Sequence, residues 1–229
     1  MSKPHESLQE GLEPPGVPAW LHKETVRSLA ELNEQCLELL AAQAAAMRPG
    51  VGHPMLRELK PLWAALNADA RRRVADCPYL LVDVGFADAR RWAWASGRGV
   101  QDREATYTPT FFTVPQTVGV TRIVLTYAWL LARSQVSAAR LLLGMPPQCA
   151  GLLATCSLRQ ITEIAESHPQ WLQPRWPGRV RVWRDLLSSA MQSDSRTLDR
   201  LRLHGLRLLA SEVAAQSQQG LDKWEPEGD

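Results

Sequence analysis

The sequence predicts a mainly α-helical fold, and three observations support this prediction. Apolar residues recur at helical spacing through the stretch 121–209. Gly144, followed by Pro146 and Pro147, marks the end of one helix and the start of the next. The segment Ser157-Leu-Arg-Gln160 reads as a capping box, in which the serine oxygen accepts an otherwise unpaired amide. We therefore expect an N-terminal helical region followed by a C-terminal multi-helix domain.

The first half of the chain shows the same periodicity less continuously. Residues 19–47 form a helical pattern with a leucine stripe, and a second helix is expected at about 55–66. Pro61 lies inside that second helix, which indicates either a kink or an early start there. Asn67 is a suitable N-cap for a short helix over 68–76.

Residues 79–86 (YLLVDVGF) are the stretch with strand character. They are rich in branched apolar side chains and follow Pro78. The same run is compatible with an apolar lead-in to a helix, because short apolar runs do not distinguish the two. The fold class is therefore mainly α, with one short strand near 79–86 as an open alternative.

Composition shifts divide the chain into five predicted parts. Proline-rich and glycine-rich segments mark the divisions. The parts are a disordered tail at 1–18, an N-terminal helical region at 19–95, a linker at 96–117, a helical domain at 118–215 and an acidic tail at 216–229.

The composition is that of a soluble globular protein: 45% of the residues are hydrophobic and 22% are charged. The longest apolar run is interrupted by arginines, and the first residues lack the apolar core of a signal peptide. These features predict a cytoplasmic protein without membrane contact. Its four cysteines are scattered without a C-x-x-C pair, so we expect buried thiols and no metal site.

Motifs for catalysis and cofactor binding are missing from the sequence. It contains no nucleophile elbow, phosphate loop, dinucleotide fingerprint or zincin helix, and its five histidines are dispersed. We therefore predict that the protein is not an enzyme and has no cofactor.

Positive charge is concentrated in the C-terminal half. Residues 117–211 contain twelve arginines, no lysine and five acidic residues, an excess of seven positive charges. Arginine suits phosphate and carboxylate, because its planar guanidinium donates two parallel hydrogen bonds. This excess indicates either an acidic partner such as nucleic acid or a solvated helix face.

Arginine and tryptophan alternate from Trp171 to Arg184, a combination common on nucleic-acid surfaces. The alternative is that the tryptophans are core anchors with arginines lying over them. We favour the core interpretation for Trp171 and Trp183 and leave the arginines open.

A series of short motifs follows in order between Val120 and Leu209. They are LTYAWLLA, the A-x-x-x-LG turn at Ala139–Gly144, LLA within Ala150–Ala154, SLRQI at Ser157–Ile161, Ile164–Glu166 and RW at Arg175–Trp176. In this order the motifs resemble FlhD, the flagellar transcriptional activator subunit. The resemblance covers less than half of the chain and rests on small and apolar residues.

The resemblance implies an all-helical dimer that joins a partner subunit, FlhC, on promoter DNA. In that family the zinc and most of the DNA contacts belong to the partner. The chain is thus predicted to be a transcriptional regulator subunit that forms a homodimer and binds an FlhC-like partner and DNA. A helical adaptor that binds an acidic protein without DNA contact is the alternative.

Two sets of residues follow from this prediction. Arginines of the C-terminal half would contact phosphates, and apolar residues of its first helices would form the dimer or partner interface. The predicted DNA-binding residues are Arg175, Arg179, Arg181, Arg184 and Arg200. The predicted interface residues are Tyr127, Leu130, Leu131, Leu141 and Leu142.

Overall fold

The computed structural model describes residues 22–48, 50–99 and 109–221. Over these residues the chain is mainly α-helical, which confirms the predicted fold class. The helices of the N-terminal half are α1 (Lys23–Ala46), α2 (Pro54–Glu58), α3 (Lys60–Ala65), α4 (Ala68–Ala75) and α5 (Ala89–Ala95). Those of the C-terminal half are α6 (Thr117–Ser134), α7 (Val136–Leu143), α8 (Pro147–Ala154), α9 (Leu158–Ser167), α10 (Val180–Met191) and α11 (Ser195–Leu221).

The helix boundaries lie where local sequence signals predict them. Gly144 ends α7 with φ at 63°, a left-handed conformation that glycine adopts without steric cost, and Pro147 opens α8. The hydroxyl of Ser157 accepts from the Gln160 amide at 3.2 Å, and the Gln160 side chain accepts from the Ser157 amide at 2.8 Å. Asn67 Oδ1 accepts from the Ala70 amide at 2.8 Å and begins α4. These caps confirm the start and stop signals.

The helix expected over 55–66 is interrupted in the structure. Leu59 separates α2 from α3, and Pro61 lies in the first turn of α3. A proline has no amide hydrogen to donate, and its ring would clash with the preceding turn of a continuous helix. Of the two alternatives left open at Pro61, the structure therefore shows a helix start and not a bend within one continuous helix.

The segment 79–86 forms a strand of two residues. β1 (Val82–Asp83) pairs antiparallel with β2 (Gln173–Pro174), and Val82 lies opposite Pro174. The same segment is also bonded to α7, because the Leu80 amide donates to Leu142 O at 2.9 Å. The apolar residues of the segment 79–86 are buried in the core.

A single hydrophobic core spans both halves of the chain. Helix α1 packs against α3, α4 and α6, and α10 packs against α4. Helix α10 also packs against α3, where the rings of Trp63 and Trp183 lie 5.7 Å apart. The parts expected at 19–95 and 118–215 therefore share their interior.

Four of the predicted parts extend beyond the described residues. The tail at 1–18 lies outside them, as do 19–21 and 49 of the N-terminal region, 100–108 of the linker and 222–229 of the acidic tail. The described remainder of the linker contributes the buried Phe112 to the core, and its last residue, Thr117, begins α6. No helix among the described residues is long and apolar enough to cross a bilayer.

The fully buried side chain of Asn33 attaches α1 to the chain that leaves α4. Its amide nitrogen lies 3.1 Å from Ala75 O and 3.0 Å from Tyr79 O. Its oxygen accepts from the Leu81 amide at 2.9 Å. A polar side chain is tolerated in a core when it is fully hydrogen-bonded. Asn33 supplies hydrogen-bond partners to backbone groups of residues 75–81, most of which lie outside regular secondary structure.

Candidate functional site

Arg175, predicted to contact DNA, is instead a buried structural residue. Its side chain is 5% exposed. Nε donates to Leu80 O at 2.6 Å, and Nη2 donates to Leu143 O at 2.5 Å. Burial lowers the pKa of the guanidinium, while the nearby Asp83 and Glu212 oppose that shift. Arg175 therefore joins the end of α7 to the segment 79–86, and its assignment as a phosphate contact is wrong for this conformation.

The tryptophans of the arginine–tryptophan segment belong to the core, as expected for Trp171 and Trp183. Both are almost fully buried. The ring of Trp171 stacks on His168 at 4.7 Å between centroids, and the guanidinium of Arg91 lies 4.6 Å from its centroid. The predicted arrangement of arginine over tryptophan is thus present, but Arg91 supplies the guanidinium. No local pattern indicates this partner, because Arg91 lies on α5, far from Trp171 along the chain.

A polar cleft opens between β2 and α11. Its volume is about 240 Å³. Trp176 adopts a φ of 50°, which is uncommon for a residue with a side chain, and its indole donates to Glu212 Oε1 at 2.7 Å. The cleft is lined by Asp83, Gly85, Arg91, Trp171, Gln173, Pro174, Arg175, Trp176, Pro177 and Glu212. Two guanidiniums and two carboxylates thus meet there and offset each other's charge.

The other four predicted arginines are exposed. Arg184 Nη2 lies 3.6 Å from Glu58 Oε2, an exposed contact of small energetic value. Arg179, Arg181 and Arg200 have no ion pair with any other described residue. Arg179 precedes α10 and Arg181 lies in its first turn, whereas Arg200 lies on α11.

Helix α11 presents a row of arginines that extends the predicted set. Arg196, Arg200 and Arg207 are all exposed. Their separations of four and seven residues place them on one face of the helix. At a rise of 1.5 Å per residue, the row spans about 16 Å. Arg202 points elsewhere, since it donates to Arg73 O at 2.7 Å and lies 3.6 Å from Asp76.

The five predicted interface residues fall into three groups by burial. Leu130 is 52% exposed and Leu141 is 37% exposed, so both are accessible to a partner. Tyr127 is half-buried, and its hydroxyl donates to Thr25 O at 3.0 Å. Leu131 and Leu142 are buried in the core of their own chain, and their assignment to an interface is wrong for this conformation. Helical periodicity does not reveal which of two apolar stripes faces inward.

All four cysteines are buried and unpaired by disulfides, as the sequence predicts. Burial raises the pKa of Cys77 and of Cys149 to about 11, so both remain protonated thiols at neutral pH. No group of three or more His, Cys, Asp or Glu side chains that could hold a metal ion occurs among the described residues.

The fold and these surfaces define a mainly α-helical protein with an arginine-rich outer face. No protein-family model, curated protein or solved structure matches the chain. Its function is therefore inferred from its own residues.

Proposed function

We propose that this protein is a transcriptional regulator subunit of the FlhD type, which acts as a dimer with a partner subunit on promoter DNA. The observation that carries the proposal is the row formed by Arg196, Arg200 and Arg207. These side chains are exposed on one helix face and have no acidic partner within 4 Å among the described residues. A row of exposed guanidiniums along one helix face suits a chain of phosphates.

Arg179 and Arg181 add positive charge at the first turn of α10. They too are exposed and have no ion pair with another described residue. Contacts of this kind orient a protein on DNA without reading its sequence, since phosphates are the same at every base pair. The selection of a promoter would then fall to the partner subunit, as the resemblance to FlhD implies.

Binding to a random-sequence DNA duplex tests the arginine row. Fluorescence anisotropy is measured at salt concentrations from about 50 to 200 mM. Over this range, binding that depends on phosphate contacts weakens steeply as salt is added. The triple variant Arg196→Gln, Arg200→Gln, Arg207→Gln removes three phosphate contacts. We expect the slope of log affinity against log salt to fall by about 2 to 3, since each lost contact removes nearly one unit.

A matched control removes three exposed arginines that are already paired with acids on their own helices. Arg27 lies 3.8 Å from Glu31, Arg72 lies 3.1 Å from Asp69, and Arg159 lies 2.7 Å from Glu163. The control variant changes the net charge by the same amount as the first triple variant. A similar fall in the salt slope for both variants would therefore show that DNA binding depends on net charge alone. No DNA binding by the unaltered protein at low salt would refute a direct contact.

A tagged pull-down from the native cell separates the regulator from the alternative adaptor. Extracts treated with nuclease and untreated extracts are compared by mass spectrometry. Recovery of an FlhC-like subunit or of RNA polymerase, with DNA in the untreated sample, supports the regulator. Recovery of an assembly unrelated to transcription that is indifferent to nuclease would instead favour an adaptor binding an acidic protein.

A further inference from the structure

A second cavity, which shares Gln173 with the polar cleft, has no role in the proposed function. It lies between the end of α1, the start of α2 and the segment before α6, and its volume is about 530 Å³. That is the size of sites that enclose small molecules. It is lined by Gln43, Ala46, Met47, Arg48, Val51, Gly52, His53, Leu56, Pro109, Thr110, Phe111, Thr113 and Gln173.

Most of the lining is apolar or already hydrogen-bonded. The ring of Phe111 lies 5.1 Å from that of His53, and Met47 packs beside Gly52. The side chain of Gln43 is buried. Its Oε1 accepts from the backbone amide of Thr113 at 2.7 Å, and its Nε2 donates to the Thr113 hydroxyl at 3.1 Å. These contacts hold the walls in place and offer apolar surface to a ligand.

His53 directs one donor away from its own helix. Its Nδ1 accepts from the Met55 amide at 3.2 Å, which assigns the proton of the neutral ring to Nε2. Burial lowers the pKa of this imidazole, which favours the neutral form. No described residue accepts a hydrogen bond from Nε2. The ring therefore has one donor left for a ligand.

Arg48 supplies the positive charge at the cavity. Its side chain is exposed and has no ion pair with any described residue. Among the described residues that line the cavity, none is acidic. An anion entering there meets one guanidinium and one neutral N–H donor, and no carboxylate of this described lining repels it.

We propose that this cavity binds a small apolar carboxylate, with its ring or hydrocarbon chain against the apolar walls. Its carboxylate oxygens would accept from Arg48 and from His53 Nε2. An apolar walled space of this size favours an apolar ligand body, whereas the two donors select an anionic head. The proposal is independent of DNA binding, since the arginine row lies on α11.

Isothermal titration of the full chain tests this with three probes: benzoate, 4-phenylbutyrate and octanoate. Each is compared with its uncharged amide. We expect saturable binding of at least one acid and at least about tenfold weaker binding of its amide, because a charge-assisted hydrogen bond is lost. Arg48→Gln should weaken acid binding about tenfold for the same reason. Arg57→Gln removes an exposed arginine of α2 that does not line the cavity, and it should leave binding unchanged.

Two variants fill the cavity from its exposed edge without altering the core. Ala46→Trp and Thr110→Trp place a large ring at residues that are exposed and line the cavity. Far-UV circular dichroism checks that both remain folded. Loss of acid binding in either folded variant supports the site. Unchanged binding in both, equal binding of acid and amide, or no saturable binding of any of the three acids overturns the proposal.

Discussion

The backbone of Gly205 lies directly against the phenol ring of Tyr79, where α11 crosses the segment 79–86. A Cβ atom at residue 205 would overlap Oη and Cζ of that ring. Tyr79 is itself buried, with Trp176 edge-on at 5.5 Å between centroids. Glycine inside a helix costs about 1 kcal/mol relative to alanine, so its presence here reflects the close approach of two elements.

We expect Gly205→Ala to lower the free energy of unfolding by about 1–3 kcal/mol, because overpacking outweighs the gain in helix propensity. Urea denaturation measures the change. The matched control is Gly151→Ala in α8, where a Cβ would meet no atom within 4 Å. It should stabilise the protein by about 0.5–1 kcal/mol. Equal stability of the two variants would contradict the close contact.

Arg175→Ala tests the assignment of this residue to the core. It removes the donors to Leu80 O and Leu143 O and leaves both buried carbonyls unpaired. We expect a loss of about 3 kcal/mol in the free energy of unfolding, since each unpaired group bears its desolvation cost. Arg179→Ala, at an exposed neighbouring residue, should change stability by less than about 0.5 kcal/mol. An unchanged free energy of unfolding in Arg175→Ala would contradict the buried, hydrogen-bonded position of this side chain.

Asn33→Ala tests the side chain that organises the segment after α4. It removes a buried amide that bonds Ala75 O, Tyr79 O and the Leu81 amide. A loss of about 3 kcal/mol is expected, because several buried groups lose partners together. Asn67→Ala, which removes a single N-cap bond, should cost about 1 kcal/mol. Chemical denaturation of both variants gives the comparison, and a smaller loss at residue 33 than at residue 67 would be inconsistent with the network.

His168 makes stability depend on pH in a defined direction. Burial, and secondarily Arg91, lowers its pKa in the folded state from the ordinary value of 6.5. Below pH 6.5 the unfolded chain therefore binds the proton more readily than the folded chain does. The neutral imidazole of His168 therefore contributes fully to the free energy of unfolding above pH 6.5. This contribution is lost as the pH falls from 6.5 through the lower pKa of the folded state.

Replacing His168 by Gln should make the fall in unfolding free energy below pH 6.5 shallower. Urea midpoints across the acid range measure this slope. Above pH 7.5, roughly one unit beyond the unfolded-state value, the difference between the variant and the unaltered protein should be constant. That constant difference reports the lost contacts of the neutral imidazole, which stacks on Trp171 and lies 5.1 Å from the ring of Trp94. Parallel profiles at all pH values would exclude His168 as a source of acid sensitivity.

Helix boundaries were predictable because each depends on neighbouring residues alone. The turn at Gly144 and the capping box at Ser157 act within four residues of the chain. The strand near residue 82 was an open alternative, since its pairing partner Pro174 lies 92 residues further along the sequence. Pairing across such a distance leaves no local pattern.

The candidate site was predictable only in part. Arginine content correctly indicated exposed positive charge at Arg179, Arg181, Arg184 and Arg200, but it also included the buried Arg175. All five side chains have the same chemistry, and burial depends on which backbone carbonyls converge on the guanidinium. The carbonyls of Leu80 and Leu143 do so because α7 and the segment 79–86 meet in the folded chain.

The sequence by itself determined the helical class, the helix ends and the arginine excess, because these depend on composition and on interactions between near neighbours. Only the tertiary structure decided which polar side chains entered the core and which arginines remained outside it. Asn33 and Arg175 are buried because distant backbone groups need their hydrogen bonds. Arg196, Arg200 and Arg207 remain exposed because α11 packs its opposite side against the core.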